Sequence, residues 1–409
     1  FASAQELSKL NEGFAFTFFY LLKAVAKFLF SFEVDVLALK PESEGPRSTL
    51  GLAQGSLSGL ARTAVIENKK LRARIVSAPE SEFKNHSLGE QLFLEWTDRE
   101  PTDIEVRYLR GSREARRNVE TRTESTGAPV FRKDGVYVIA GGAGGIGLRF
   151  CEALAGRVKG LVLMGRSELS IDKKKTLTAL EKKGSRILYL RADLSKEDEV
   201  NRVVSEARKA LGGIHGVIHS GGNLEDGLLL SKSKESFAKV FDPKVLGAWN
   251  LHTATIGDAL DFFSVFSSIV SVIGNVGQAD YAAANSFLDQ FAHWRNASGA
   301  SGKTQSLNWT LWADGGMGHK DAVLKQLGMM GITPLPAQDA IPAFERFILS
   351  GESQVVVVAG DHKKLSELFY LTSGSSAPSS IPQEQSKATV KAMMKPVSQP
   401  QNLQALEAE

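Results

Sequence analysis

The sequence predicts an α/β protein whose larger part is a doubly wound sheet of seven parallel strands, preceded by a smaller α/β half. Two observations carry this prediction. From Gly135 onward seven apolar runs, GVYVIA, GLVLMG, RILYLRADL, GGIHGVIHSGG, ALDFFSVFSSI, QSLNWTLW and QVVVVAG, alternate with helix-length segments. Strands covered on both faces of a parallel sheet read this way, because neither face needs polar residues. The first run also leads directly into a glycine-rich turn, GGAGGIG, that opens a helix. The 409 residues are enough for two domains and a linker.

Taken in order, the first element is the Phe- and Leu-rich stretch from Phe14 to Phe32. It carries Lys23 and Lys27, with Phe14, Phe18, Leu21, Val25, Phe28 and Phe32 at helical spacing on another face, which predicts an amphipathic helix packed on a sheet. A membrane span would need about 20 apolar residues without midspan charge. EVDVLAL, from Glu33 to Leu39, alternates like a strand, and SLSGLARTAVIEN, from Ser56 to Asn68, reads as a helix leading into the strand LRARIV at Leu71 to Val76. TDIEVRYLRG and ARRNVETRTE read as two further strands. Their Arg107, Arg110, Arg113, Arg116 and Arg117 sit among Glu105, Glu114 and Glu120, mixed signs that predict a solvated face rather than a phosphate-binding patch. This first part has no glycine-rich turn suited to a dinucleotide. After Tyr370 the composition turns to Ser, Pro, Gln and Lys, with Pro378, Pro382, Pro396 and Pro400, and this predicts a disordered linker over residues 372–409.

Composition narrows the partners. A 43% hydrophobic and 23% charged chain is that of a globular protein with a sizeable core. A net charge of +3 gives no reason to expect nucleic acid or membrane as a partner. The single cysteine, Cys151, makes no internal disulfide and no metal cluster, and a reducing cytoplasm is the simplest setting. The chain opens without an initiator Met or a leader pattern, so it reads as an internal piece of something longer.

The turn from Gly141 to Gly147 is the candidate cofactor loop, with Gly141, Gly144, Gly145, Ile146 and Gly147 as its members. Glycines there permit a tight turn and let backbone N–H groups and the helix N-terminus approach a pyrophosphate. At the end of the second run an NAD enzyme would carry an acidic residue for the ribose 2′-OH, whereas a 2′-phosphate calls for Arg and hydroxyl donors. Arg166 and Ser167 stand there after Gly165, so the expected cofactor is NADPH. Asp193 and Leu194 close the third run, and Ser220 and Gly221 the fourth; these complete the candidate cofactor set. Ser195 is the better N-cap for the helix KEDEVNRVVSEA.

Four side chains form the candidate catalytic set: Lys244, Ser268, Tyr281 and Asn285. Ser268 lies thirteen residues before Tyr281, and Asn285 four after it, on what reads as a strand followed by a helix. Hydride addition to a ketone leaves negative charge on its oxygen. Tyr281 suits the general acid, and Ser268 the donor that positions the carbonyl. A phenol titrating near 10 needs a nearby ammonium to favour phenolate, and Lys244, in FDPKVLGAWNL, can supply it. Asn285 shares a helix face with Tyr281 and would orient Lys244 or a proton-relay water.

The glycine pattern, with Ala140 where Thr is usual, resembles the short-chain reductases. In most of these a Lys, not Asn285, follows the Tyr by four. The exchange of Lys and Asn between positions 244 and 285 resembles the ketoreductase domains of modular polyketide synthases and animal-type fatty acid synthases. That resemblance runs from GLARTAVIEN to QVVVVAG. It implies two Rossmann-like subdomains: a truncated structural one at residues 1–130 without cofactor, and a catalytic one at 131–371. It also implies adenine contact by Asp193 and Leu194, and NADPH-dependent reduction of a 3-oxoacyl chain on the phosphopantetheine arm of an acyl carrier protein, beside neighbouring synthase domains. GLARTAVIEN and GQADYAAANSFLDQFAHW look similar to synthases whose acyltransferase acts in trans. Leu224, Glu225 and Asp226 match the loop of B-type domains, and Ile273 stands where A-type domains carry Trp, implying a 3R product. Gln278 joins this substrate-facing set. The glycine-rich ADGGMGHKDAVLKQLGMMGI reads as a lid with Met317 and Leu324 as apolar contacts. The competing reading is a catalytically silent reductase-like domain with an architectural role.

Overall fold

The computed structural model describes residues 3–28, 34–42, 49–84, 86–97, 103–121, 129–315 and 321–369; Met317 and the expected linker lie outside the described residues. Two sheets organise the chain. The first contains β1 (Val34–Glu42), β2 (Leu71–Pro79), β3 (Glu105–Leu109) and β4 (Ser112–Ala115) in that order, parallel except for the β3–β4 hairpin. The second is built from β5 (Val136–Ala140), β6 (Gly160–Gly165), β7 (Arg186–Arg191), β8 (Gly216–His219), β9 (Phe262–Ser268) and β10 (Lys303–Trp309). A short ribbon strand, β11 (Ile332–Thr333), precedes its last member, β12 (Gln354–Val357), and pairs antiparallel with β13 (Ala359–Gly360). The seven strands run parallel in the order β12-β10-β9-β8-β5-β6-β7. The chain winds one way from β5 to β7 and the other way from β8, so β5 and β8 flank the point where strand order reverses. In open α/β sheets ligands bind outside the carboxyl ends of the strands at that point.

All seven runs become strands: β5, β8 and β9 are buried along their whole length and β6 and β10 nearly so, whereas the edge strands β7 and β12 are only partly buried. Three expectations need correction. Over its described residues ARRNVETRTE does not form the expected strand: β4 ends at Ala115, the Arg116 N–H adds one last bond to the Glu105 carbonyl, and the Arg116 and Arg117 side chains pair with Glu105 and Asp103; residues 122–124 lie outside the described residues. The Phe-rich helix packs chiefly on other helices, not on a sheet; of the expected face Phe18 is buried and Phe14 and Val25 pack on the core, but Leu21 is exposed. A π-turn at Glu12–Phe16 links helices Ala4–Asn11 and Thr17–Phe28. Phe16, Phe19 and Leu22 are buried as well; Phe16 and Phe19 meet Phe237 at 5.1 and 4.9 Å between ring centroids. Ser195 does not cap the next helix. Lys196 occupies that position before Glu197–Leu211, because Asp193 Oδ1 accepts both the N–H and the hydroxyl of Ser195.

The first half meets the second through glycine. Helix Leu57–Glu67 lies on helix Ala279–Ala297, which carries Tyr281. A Cβ at Gly59 would fall 2.2 Å from the Ala282 carbonyl oxygen, and one at Gly55 would fall 2.5 Å from Gln290 Cβ. Any side chain at 59 forces the two helices apart. Gly59→Val is expected to lower stability by about 1–3 kcal/mol or more, as overpacking does. A thermal melt checks this, and an unchanged midpoint would contradict it.

Candidate active site

Ser268 is the last residue of β9 and opens onto the carboxyl edge of the sheet. Its Oγ accepts the Val270 N–H at 3.3 Å. Tyr281, Asn285 and Asp289 lie one turn apart on one face of helix Ala279–Ala297. Lys244 comes from helix Lys234–Ala254 and is only 4% exposed. Its Nζ donates to the Phe266 carbonyl at 2.8 Å and lies 5.3 Å from the centre of the Tyr281 ring. Gly222 makes room for it, since a Cβ there would sit 2.9 Å from Lys244 Cε. The four residues singled out from the sequence thus meet at one place.

Burial governs their protonation. Desolvation pushes the Lys244 ammonium down to about 7, opposed by the charge of Asp289. Burial raises the Tyr281 phenol, while hydrogen bonding from Ser268 and Asn285 works against that rise. The phenol therefore holds its proton near neutrality. Asn285 does not orient Lys244 directly: its Nδ2 donates to the Tyr281 carbonyl at 2.7 Å, and its buried Oδ1 has no partner. That acceptor is left for a water or a bound group.

Beneath the site is a polar network the sequence did not reveal. Asp289 Oδ1 accepts Ser306 Oγ at 2.6 Å, and its Oδ2 accepts Ser271 Oγ at 2.6 Å. Asn308 Nδ2 donates to both oxygens and to the Ser268 carbonyl. The turn after β9 is thereby fixed to the Tyr281 helix. Lys232 and Asp280 form a buried ion pair at 2.6 Å, and Asp280 Oδ1 accepts the Tyr281 N–H at 2.8 Å. Burial lifts Asp280 to about 6, against the pull of Lys232. Lys232 also donates to the Glu225 carbonyl, tying the Leu224–Asp226 loop to the start of the helix. His219, under Lys244, is pushed down to about 3 by burial and by the Lys244 charge, so it is a neutral imidazole with Nε2 3.1 Å from the Lys244 carbonyl.

The glycine loop follows β5. Gly141 has φ +79°, and a Cβ there would lie 2.8 Å from Gly221; one at Gly147 would lie 2.5 Å from the Gly141 carbonyl. Gly144 caps helix Gly145–Leu154 without a side chain, leaving first-turn N–H groups at Gly145 and Ile146 without intrahelical acceptors. Arg166 Nη2 donates to Asn223 Oδ1 at 2.7 Å, and Asn223 Nδ2 donates to the Lys239 carbonyl at 3.0 Å. That carbonyl is available because Pro243, four residues on, has no N–H. The Ser167 carbonyl accepts the Tyr189 hydroxyl, and Ser220 Oγ donates to Ala140. Leu194 packs beneath Gly221 and Gly247, so Gly221 tolerates no Cβ. Asp226 accepts Gln278 Nε2 at 2.9 Å, Leu224 is half-buried, and Ile273 packs with the cluster of Ile269 and Phe369. Leu324 lies on helix Asp321–Met329 and is partly exposed. Among the described residues no group of three or more His, Cys, Asp or Glu could hold a metal ion, and no helix is long and apolar enough to cross a membrane.

A sheet with its glycine turn at the reversal point, and a Ser, Tyr and Lys gathered at its carboxyl edge, defines a short-chain-reductase class of site. Residues 135–314 match the family described as the KR domain. The chain is 36% identical over 330 residues to the polyketide synthase PksN of Bacillus subtilis, covering 79% of this chain and 6% of that protein. It is 34% identical over 319 residues to the polyketide synthase ThaG of Burkholderia thailandensis, covering 75% of this chain and 6% of that one. Among solved structures, a ketoreductase domain from the bacillaene assembly line matches with 33% identity and a TM-score of 0.79, covering 90% of this chain and 86% of that one. This chain belongs to the ketoreductase domain family of polyketide synthases. It spans less than a tenth of the length of these multidomain relatives. Domains of this family use a nicotinamide cofactor, and the cradle at Gly141 and Gly147, which a Cβ would fill, fits a dinucleotide pyrophosphate.

Proposed function

We propose that the chain is the NADPH-dependent reductase of a 3-oxoacyl chain held on the phosphopantetheine arm of an acyl carrier protein, giving a 3R-hydroxyacyl chain, in a synthase whose acyltransferase acts in trans. One observation carries this: a buried ammonium, Lys244, sits 5.3 Å from the ring of Tyr281 at the carboxyl edge of β9. Gly141, Gly144, Gly145, Ile146 and Gly147 would hold the pyrophosphate, Arg166 and Ser167 the 2′-phosphate, Asp193 and Leu194 the adenine, and Ser220 and Gly221 the adjoining ribose region. When bound, NADPH supplies hydride for the ketone carbon. Ser268 Oγ donates to the carbonyl oxygen and fixes its direction. Tyr281 Oη then delivers its proton to that oxygen as negative charge develops, and Lys244 stabilises the phenolate left behind. A water on the free Oδ1 of Asn285 can return the proton. Leu224, Asp226, Ile273 and Gln278 border the acyl chain, with Met317 assigned there from the sequence alone.

The test is mass analysis of carrier-bound 3-oxoacyl substrate after incubation with NADPH and, separately, NADH, followed by chiral analysis of the product. Turnover with NADPH to a 3R product is expected; no turnover, an NADH preference or a 3S product would each refute the corresponding part. Arg166→Glu is expected to raise KM for NADPH by roughly tenfold or more, since it replaces a paired cation with a repelling anion. KM for NADH should change little.

A further inference from the structure

Glu67 ends helix Leu57–Glu67 in the half without a glycine turn, yet its carboxylate reaches into the other half. Oε2 accepts the Leu229 N–H at 2.8 Å, and Oε1 accepts the Gly277 N–H at 2.9 Å. A carboxylate at a helix C-terminus faces the negative end of the dipole, so helix stability gives no reason for it to be there. Two charge-assisted bonds to backbone amides do. Leu229 follows the Leu224–Asp226 loop, and Gly277 lies just before the Tyr281 helix. These same segments are joined by the Gly227 N–H to the Gly277 carbonyl at 2.8 Å and by Gln278 to Asp226. Leu229 is anchored in the core by its side chain, but Leu228 and Leu230 on either side of it and Val276 beside Gly277 are exposed, so Glu67 supplies a polar link where the flanking apolar side chains supply little packing. From the same helix, Arg62 Nε donates to the Ser271 carbonyl at 3.2 Å, three residues beyond Ser268.

We propose that Glu67 is a positioning residue for substrate selection: it fixes the loop at 224–229 against the turn at 274–278, and so sets the direction from which the acyl thioester enters. The effect on the acyl chain rests on the ketoreductase function proposed above. The clamp itself is read without substrate. Glu67→Gln turns an NH2 group toward one of the two amides and removes the charge, whereas Glu67→Asp keeps the carboxylate on a shorter arm.

In Glu67→Gln, hydrogen exchange at the Leu229 and Gly277 amides is expected to quicken about tenfold or more. KM for the thioester should rise and the ratio of 3R to 3S product fall, each by about fivefold or more, with NADPH affinity unchanged. Glu67→Asp should lie between this variant and the natural chain, and it serves as the test if the Gln variant does not fold. Unchanged amide exchange, or an unchanged product ratio together with an unchanged KM, would overturn the proposal. A natural chain that reduces no 3-oxoacyl thioester would overturn the ketoreductase reading and with it the effect on the acyl chain; the amide exchange would still decide the clamp.

Discussion

Tyr281→Phe is expected to slow ketone reduction by roughly 10²–10⁴-fold, the usual contribution of a positioned general acid. NADPH affinity and the melting temperature should hardly move, because the ring stays and only its hydroxyl is lost. Burial holds the phenol protonated while Ser268 and Asn285 pull against it, so the group is poised to give up its proton only when charge appears on the substrate oxygen. NADPH oxidation in the presence of a 3-oxoacyl thioester, with cofactor binding measured separately by fluorescence, provides the check. A variant retaining more than about a tenth of the natural rate would remove Tyr281 from the acid role.

Lys244→Met should produce the second large effect, and in two opposite directions. Reduction should slow by about 10²-fold or more as the phenolate loses its ammonium, while stability at low pH should increase. The titration of the lysine sets the sign. Lys244 is held at about 7 in the folded chain against 10.5 ordinarily. Above 10.5 it is neutral in both states and its burial carries no ionisation cost. As pH falls from 10.5 towards 7 the unfolded chain takes up a proton that the folded chain does not, and stability drops; below about 7 the loss is complete. Between pH 6.5 and 9.5 the natural chain should therefore gain roughly 3 kcal/mol from this group that the Met variant does not. Denaturant unfolding of both proteins at the two pH values gives the difference directly, with the other titrating groups cancelling. A difference independent of pH would show that Lys244 is not desolvated.

The parallel sheet was legible because its central strands are buried on both faces and leave uninterrupted apolar runs in the chain. The catalytic set was legible because a Lys missing at position 285 directed attention to Lys244. What the sequence concealed depends on contacts distant along the chain. Glu67 touches Leu229 and Gly277, and Lys232 pairs with Asp280; no local pattern distinguishes these charges from solvated ones. Asp289 offered a faint signal, as an acidic residue two turns beyond Tyr281 on the same helix face. On the N-terminal helix Leu21 was misassigned because Phe19 and Leu22, its neighbours in an almost wholly apolar stretch, take the buried side with Phe18 instead. The Ser195 cap was misread because Asp193 takes the same hydroxyl first.

The glycine contact between the two halves bears on how such units can be exchanged between synthases. Helix Ala279–Ala297 has no free side: β9 and β10 lie against one flank, and Gly55 and Gly59 press their bare backbone onto another. A graft cut between β4 and β5 would join this helix to a foreign neighbour, and any residue larger than glycine at the matching positions would displace Tyr281. The helix that carries Tyr281 is therefore seated by a stretch of chain from the other half, and recombination should tolerate seams outside the two halves far better than between them.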